Sequence, residues 1–374
     1  MKTIARLASV GGLVLAATAL FAGPAAASTG EHHAHAVFVQ TDNPAGNTVV
    51  AYDRAADGAL RQAGAYPTGG LGGVLTGSVV DHLASQGSLA LDPDGGRLYA
   101  VNAGSNTITA FTVDGDHLDR RQVISSGGDF PVSIAVHGNL VYVLNARGGG
   151  SVQGYLRLDG TLIRVPAWHR GLGLDPTLTP EFTHTAGQIA FTPDGSKLVV
   201  TTKANGNDID VFPVNLHGLS ATPVVTVLPG AVPFAVAFDT RGHLVLAEAG
   251  TNAVATFTIN RDGTLTAIAQ AATGQAATCW ITGTGTRFYT SNAGSASLSG
   301  YHDNGDGTLS ALGNTSTSPG TVDATITTDS RFLYVQTGAS GIVDGYRINP
   351  DGSLTPVAAV TVPAAVGGEG IVAS

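Results

Sequence analysis

Four side chains suited to acid–base and electrostatic chemistry lie in predicted loops of this sequence: Glu248, His184, Arg147 and Lys203. A glutamate or a histidine can take a proton from water, and an arginine or a lysine can stabilise the oxyanion that forms when water attacks a carbonyl carbon. The same groups suit a second chemistry, in which the acid delivers a proton to carbon and the cations hold carboxylates. Solvated loops also commonly carry such residues, so a structural role for each stays open.

Glu248 departs from the pattern of the loops that resemble its own. It stands in LVLAEAGTNAV, at a position that Asn102, Asn145 and Asn292 hold in other loops. Asparagine is a common turn residue, so an acid at this position has no obvious structural reason. We predict that Glu248 acts in the site, with a solvated loop carboxylate as the alternative.

These loops belong to a repeat, and residues 91–111, LDPDGGRLYAVNAGSNTITAF, form its clearest copy. Short alternating strands follow one another in this segment, separated by turns rich in Asp, Gly and Asn. Successive units lie ~45 residues apart, as is typical of propeller blades. The sequence therefore predicts an all-β fold, a seven-bladed β-propeller. The repeated Asp-Gly turn, or a near relative of it, occurs at Gly58, Gly115, Gly160, Gly218, Gly263, Gly307 and Gly352.

The two ends of the chain are predicted to share one blade. The strands HAVFVQ and TVVAYD begin the propeller without a preceding first strand, whereas residues 368–374, GEGIVAS, match the first-strand segments SLAL, SIAV, QIAF and AVAF. Pairing of the last strand with the first would close the ring and leave no open sheet edge between the termini. We predict that the C-terminal strand completes the first blade.

The candidate residues are expected on one face of the propeller. Loops between second and third strands emerge on the same face as the segments that lead into the inner strands, around the central channel. Two long intervals, residues 67–87 and 166–186, also fall on this face and are predicted to cover the channel mouth. The predicted substrate-binding residues on this face are Asn102, Asn145, Asn292, Asp323 and Glu369.

The N-terminal segment has the composition of a signal peptide. Lys2 and Arg6 precede an apolar run, and Ala25 to Ala27 fit a signal-peptidase site. We predict a signal peptide over residues 1–27, a flexible histidine-containing segment over 28–35 and a single propeller domain over 36–374. The protein is expected to be secreted, with no membrane association after cleavage.

Composition narrows the classes of partner and cofactor. The net charge is −9 and no run of Lys and Arg occurs, which disfavours nucleic acid as a partner. Cys279 is the sole cysteine, so no internal disulfide forms, and its apolar surroundings favour a buried, inert thiol. No metal-binding or cofactor motif appears, so we expect no cofactor, no metal in the site and a monomer. Metal binding by His32, His33 and His35 remains a minor alternative to disorder.

The motifs PDGGRLYAVN and PDGSKLVVTT, together with the DGTL turns, resemble the lactonase family of seven-bladed propellers. That family includes bacterial 6-phosphogluconolactonases and carboxymuconate-lactonising cyclases. A glutamate in the corresponding loop implies a site role for Glu248, and a histidine motif before the PDG turn implies one for His184. This sequence departs from the family in three respects. His184 falls about one residue out of register with the motif, the motif's second histidine is absent, with Gly187 near its place, and Ser88 stands where histidine is common.

The resemblance implies hydrolysis or isomerisation of a small lactone, neutral or anionic, at the channel mouth. Glu248 or His184 would act as the base, and Arg147 or Lys203 would stabilise the developing negative charge. The competing hypothesis is a non-catalytic extracellular propeller that binds or scaffolds a partner. The two hypotheses differ in geometry, because an enzyme requires these side chains to converge on one pocket.

Overall fold

A computed structural model describes residues 35–92, 96–215 and 217–374 of the chain. These residues form seven antiparallel sheets arranged as the blades of a propeller, which confirms the predicted all-β fold. The predicted signal peptide, together with His32 and His33, lies outside the described residues. Within the described part of the chain, no helix is long and apolar enough to cross a bilayer.

Each blade contributes its innermost strand to the wall of the central channel. Blade 1 contains β1 (Ala36–Gln40), β2 (Thr48–Arg54), β3 (Leu60–Pro67) and the C-terminal β29 (Ile371–Ala373). Blade 2 contains β4 (Leu89–Leu91), β5 (Arg97–Asn102), β6 (Thr107–Asp114) and β7 (His117–Ser125). Blade 3 contains β8 (Pro131–His137), β9 (Leu140–Asn145), β10 (Ser151–Leu158) and β11 (Thr161–Gly171).

The remaining blades follow the same order, and among the described residues only blade 4 has a divided outer strand. Blade 4 contains β12 (Ile189–Phe191), β13 (Lys197–Thr201), β14 (Asp208–Asn215), β15 (Gly218–Leu219) and β16 (Val224–Val227). Blade 5 contains β17 (Pro233–Phe238), β18 (Leu244–Glu248), β19 (Ala253–Ile259) and β20 (Leu265–Ala272). Blade 6 contains β21 (Thr278–Gly283), β22 (Arg287–Asn292), β23 (Ser297–Asp303) and β24 (Leu309–Ser316). Blade 7 contains β25 (Thr321–Ile326), β26 (Phe332–Thr337), β27 (Ile342–Ile348) and β28 (Leu354–Thr361).

The described helices are short and lie between strands. They are the 3₁₀ helices Ala103–Ser105 and Glu181–Thr183 and the α-helix α1, Lys203–Gly206.

The repeated Asp-Gly turns join neighbouring blades. Tyr334 in blade 7 donates a hydrogen bond of 2.7 Å to the carbonyl of Gly58 in blade 1, and Tyr289 in blade 6 donates one of 2.9 Å to Gly352 in blade 7. Gly58 has a φ of +93°, and a Cβ at this position would overlap the Phe332 ring. The turn therefore requires glycine both for its conformation and for its close approach to the next blade.

The last strand completes the first blade, as predicted. β29 is the inner neighbour of β1, with Val39 opposite Ile371 and Val37 opposite Ala373. The backbone N–H of Gln40 also donates to the carbonyl of Gly370 at 2.8 Å. The first and last strands thus share one hydrogen-bonded ladder, which closes the ring.

Residues 85–88 cross the upper part of the channel. The side chain of Gln86 pairs with the backbone of Ile281 in blade 6, accepting from its N–H at 2.8 Å and donating to its carbonyl at 2.9 Å. Ser133 of blade 3 donates to the Gln86 carbonyl at 2.7 Å, and the Gln86 N–H donates to Gly187 before blade 4 at 3.2 Å. This segment, the channel crossing, therefore contacts several sides of the ring.

Candidate functional site

Two long connections cover the predicted face of the propeller. The first insertion, residues 68–88, joins β3 to β4 and ends in the channel crossing. The second insertion, residues 172–188, joins β11 to β12; it is shorter than the predicted interval because β11 continues to Gly171. The channel mouth, predicted to hold the substrate, is consequently occupied by the protein's own backbone and side chains.

Asp323 and Glu369, predicted to bind substrate, lie in a buried network beneath the first insertion. The Glu369 carboxylate accepts a hydrogen bond of 2.9 Å from the N–H of Gly87, and its own N–H donates to Asp42 at 2.7 Å. The Asp323 side chain hydrogen-bonds to Glu369. Ser88, at the position where the family often has histidine, donates to the Glu369 carbonyl at 2.8 Å. These groups hold the first insertion in place rather than facing an open pocket.

Burial sets the protonation of this network. It raises the pKa of Asp42 to about 8, of Asp81 to about 6 and of Asp323 to about 7. The Glu369 pKa also rises well above its usual range, because of burial and then the neighbouring Asp323 carboxylate. Low dielectric and mutual repulsion both disfavour several charged carboxylates in one small volume. The carboxyl groups therefore hold protons at a pH at which exposed carboxyls have lost them.

The free energy of unfolding is expected to fall as pH rises from 5 to 7, because the folded network keeps protons that the unfolded chain releases near pH 4. The stabilisation is fully present below pH ~4 and is lost as pH passes the raised pKa of each carboxyl. Urea unfolding at several pH values measures this slope, and an Asp42→Asn variant is expected to flatten it. Wild-type stability that increases between pH 5 and 7 would contradict this account.

Lys203 has a structural environment that its loop position did not predict. Its Nζ donates to the carbonyls of Ala84 at 2.7 Å and Phe182 at 2.6 Å, and to the Thr185 hydroxyl at 2.9 Å. Burial lowers its pKa to about 7, an effect that the Asp81 carboxylate opposes. This depressed pKa contributes stability that grows between pH ~7 and ~10, so it leaves the decline below pH 7 unchanged. Because all three ammonium protons have protein acceptors, Lys203 links the two insertions and has none left for a substrate.

The three predicted asparagines stabilise the loops that carry them. Asn102 donates to Thr109 at 2.9 Å, and Asn292 donates to Ser299 at 2.9 Å, in each case within one blade. Asn145 donates to the carbonyl of Ser126 at 3.3 Å, and its side chain is completely buried. These amides connect a second strand to its neighbours and do not reach an open pocket.

Glu248 occupies the same structural position as the asparagines. Its carboxylate is buried and accepts hydrogen bonds from Thr251, at 2.8 Å, and from Gln270, both in blade 5. These contacts explain why an acid can replace asparagine at this position, because the carboxylate receives hydrogen-bond donors from its own blade. The comparison of the repeated loops did not reveal this reason. The structure does not bring Glu248 to the pocket that contains His184.

Arg147 and His184 do converge, in a cleft beside the channel. This cleft lies between the loop after β9 and the second insertion and has a volume of about 250 Å³. Glu181 completes it: Arg147 Nε donates to Oε1 at 2.6 Å and Nη2 donates to Oε2 at 3.0 Å. Arg147 also lies over the Phe130 ring at 4.2 Å, which fixes the plane of the guanidinium. The structure thus unites two of the four predicted catalytic side chains.

His184 is oriented by the backbone of the second insertion. Its Nδ1 lies 2.9 Å from the carbonyl oxygen of Pro180, which can only accept a hydrogen bond. The Thr183 hydroxyl, 2.9 Å from Nδ1, donates to the same carbonyl at 3.0 Å and can therefore accept from Nδ1. With the proton on Nδ1, both neighbouring oxygens serve as acceptors, and Nε2 is the basic nitrogen. The carbonyl of His184 accepts from Asn205 at 2.8 Å, so α1 of blade 4 supports the histidine. This arrangement fits a general base that is held in one tautomer.

The loop after β9 adds backbone donors that sequence reasoning missed. Gly148, Gly149 and Gly150 all have positive φ, and the first two line the cleft. Within the described part of the chain, the N–H groups of Gly148 and Gly149 have no acceptor. The signal was the glycine run itself, because three residues without Cβ let a backbone approach a ligand.

Glu181 was also missed, and its acidity follows from its partner. The hydrogen bond from Arg147 lowers the Glu181 pKa to about 2, against the effect of partial burial. Its Oε2 accepts a further hydrogen bond of 2.7 Å from the N–H of Thr76 in the first insertion. Glu181 is therefore a charged structural partner of Arg147, and a weak base compared with His184.

Among the described residues, neither a reactive thiol nor a group of metal ligands offers a second candidate site. Burial raises the pKa of the Cys279 thiol to about 12, so the thiol stays protonated at neutral pH. In residues 35–92, 96–215 and 217–374, no three His, Cys, Asp or Glu side chains are grouped to hold a metal.

The chain was compared with known families and structures. The model of the family "Lactonase, 7-bladed beta-propeller" matches residues 43–161 and 75–368. The periplasmic gluconolactonase of Pseudomonas aeruginosa superposes with a TM-score of 0.70 at 18% identity, covering 91% of this chain and 98% of that one. A proposed 6-phosphogluconolactonase of Bacteroides uniformis superposes with a TM-score of 0.75 at 18% identity, covering 91% of this chain and 100% of that one. No curated protein matches the sequence.

Proposed function

Because the chain belongs to the lactonase family of seven-bladed propellers, as its PDG motifs predicted, we propose that it hydrolyses a small lactone in the Arg147–His184 cleft. The observation that carries this proposal is the orientation of His184, whose Nδ1 faces the Pro180 carbonyl and whose Nε2 is free to accept a proton. The gluconolactonase and 6-phosphogluconolactonase among its structural relatives support the reaction class.

The reaction begins when His184 Nε2 removes a proton from water as the oxygen attacks the lactone carbonyl carbon. The carbonyl oxygen becomes an oxyanion, which needs donors placed in advance. Arg147 uses three of its five N–H groups on Glu181 and on the Val74 carbonyl, at 3.3 Å, and so keeps two for this purpose. The N–H groups of Gly148 and Gly149 provide further donors.

Collapse of the tetrahedral intermediate breaks the bond between the carbonyl carbon and the ring oxygen. His184, now protonated, returns its proton to that oxygen, which leaves as a hydroxyl group. The product is a hydroxy acid, with one water consumed and the imidazole regenerated in its neutral form. No step requires Glu248 or Lys203, whose side chains are committed to buried contacts.

We also propose that the protein is exported, that it leaves the membrane after cleavage of residues 1–27, and that it is a monomer. The basic residues, apolar run and small-residue site of the N-terminal segment support export and cleavage. Sequencing of the exported protein from residue 28 would agree with it, and a retained Met1 would count against it.

Replacement of Arg147 by methionine is expected to lower kcat for lactone hydrolysis by about 100-fold, the usual effect of losing one oxyanion donor. The measurement is acid release from a panel of lactones that includes glucono-δ-lactone, with wild type and variant side by side. Because Glu181 then loses its partner, Arg147→Met combined with Glu181→Gln checks that stability is not the cause.

Arg121 offers a matched control, since it is exposed on blade 2 and pairs with Asp119 at 3.1 Å. Arg121→Met should retain full activity. If Arg147→Met is as active as wild type, the reaction occurs elsewhere in the molecule. If wild type hydrolyses no lactone, the non-catalytic binding propeller becomes the better hypothesis.

A further inference from the structure

The charge and lining of the cleft point to a substrate class, an inference that rests on the proposed function. We propose that the cleft selects uncharged lactones with a short aliphatic substituent and disfavours phosphorylated sugar lactones.

The first argument is charge. The ionisable side chains that line the cleft are one cation, Arg147, two carboxylates, Glu181 and Asp175, and His184. Glu181 is fully ionised near neutral pH, because its pKa is about 2, and it already forms two hydrogen bonds with Arg147. Lys203, the other predicted cation, is enclosed with three protein acceptors. A phosphate group would therefore meet more negative than positive charge.

The second argument is the apolar part of the lining. Ala146, Leu174, Pro176 and Leu178 are the aliphatic residues that line the cleft, and we call this set the aliphatic shelf. Leu178 keeps 39% of its surface exposed. Such a surface gains from covering by an alkyl group, because each methylene removed from water contributes to binding.

The third argument is the size of the cleft. Its volume of about 250 Å³ lies below the range of roughly 300–1,000 Å³ typical of drug-sized ligands. A five- or six-membered lactone ring with a short chain suits this space, and a long acyl chain does not. The second insertion limits the volume, because Asn205 holds it through the carbonyls of Asp175 and His184, both at 2.8 Å.

The test compares kcat/KM for γ-butyrolactone and its γ-alkyl derivatives with one to six side-chain carbons, for glucono-δ-lactone and for its 6-phosphate. We expect kcat/KM to rise about threefold to fourfold per methylene until the shelf is covered, and then to level off. The 6-phosphate should be hydrolysed at least about 10-fold less efficiently than the unphosphorylated lactone, because of the carboxylates.

Leu178→Lys probes the shelf directly, since the residue is partly exposed and contributes little to the core. The variant should lose the chain-length dependence and gain activity toward the 6-phosphate. Leu158→Lys is the matched control: Leu158 is 47% exposed on β10 and absent from the cleft lining. This control should behave as wild type.

Three results separate the inference from the proposed function. A flat chain-length series overturns the inference. Preferential hydrolysis of the 6-phosphate also overturns the inference. If Arg147→Met abolishes this hydrolysis, the proposed function still stands. Absence of hydrolysis for every lactone overturns both.

Discussion

Replacing His184 with asparagine is expected to lower kcat/KM for lactone hydrolysis by about 100-fold or more, the range assigned to general base catalysis. Asparagine can still donate an N–H toward the Pro180 carbonyl, which His184 Nδ1 reaches at 2.9 Å, but it has no basic nitrogen to replace Nε2. The second insertion should therefore keep its conformation while the reaction loses its base. Steady-state kinetics and thermal unfolding, measured on the same preparation, check both parts.

His302→Asn is the control for this experiment, because His302 is exposed on β23 in blade 6. That variant should keep wild-type activity. The pH profile adds a second readout: any acidic limb in the wild-type kcat/KM profile that comes from the general base should be absent from the residual activity of His184→Asn. Full activity in His184→Asn, or an unchanged acidic limb, would remove His184 from the mechanism.

Deletion of residues 368–374 is expected to abolish cooperative folding of the propeller. The deletion removes β29, the inner strand of blade 1, and with it the ladder in which Ile371 faces Val39. It also removes Glu369, whose carboxylate accepts the hydrogen bond from Gly87 in the channel crossing. A loss on the order of 5 kcal/mol or more matches the whole stability of many domains. Circular dichroism and thermal unfolding measure the outcome.

A substitution of the same strand keeps the chain length constant. Ile371→Asp places a charge in the core between blades 1 and 7, where Ile371 is 3% exposed, and should approach the effect of the deletion. Val372→Ala, at a partly exposed position of the same strand, should cost about 1 kcal/mol. A deleted chain that unfolds at the wild-type temperature would show that closure contributes no stability.

The fold could be predicted because the repeat carries local signals. The residues of each Asp-Gly turn indicate the backbone conformation of that turn. Gly58 is an example, because it has a positive φ and lies close to Phe332. Closure could be predicted for the same reason, since residues 368–374 resemble the other first strands. Such signals depend on neighbours in the sequence, and seven copies of them reinforce one another.

The candidate site could be predicted only in part, because the insertions have no repeated counterpart. Arg147 and His184 lie in one cleft, as their shared face suggested, but the partnership of Arg147 with Glu181 depends on how residues 172–188 fold over blade 3. The loop position of Lys203 predicted an open cation, because its three acceptors come from segments distant in the sequence. Contacts of this kind follow from tertiary packing and leave no periodic trace in the sequence.

Glu248 illustrates the limit of reasoning from a broken repeat. An acid among asparagines departs from the pattern, yet its carboxylate accepts hydrogen bonds from Thr251 and Gln270. The compensating change was a glutamine on the outer strand of the same blade, at Gln270. Departures from a repeat therefore need a search for a compensating donor before they are assigned to chemistry.

The channel crossing links parts of the ring that are not neighbours. Gln86 is joined to Ile281 on one side and to Ser133 and Gly187 on others. A separate hollow of about 390 Å³ lies along the inner strands of blades 2 to 4 and includes Ile134 and Phe191. Because, in the part of the chain that the structure describes, no strand ladder joins blades 3 and 6, the channel crossing gives these two blades a direct connection that their order in the ring does not provide.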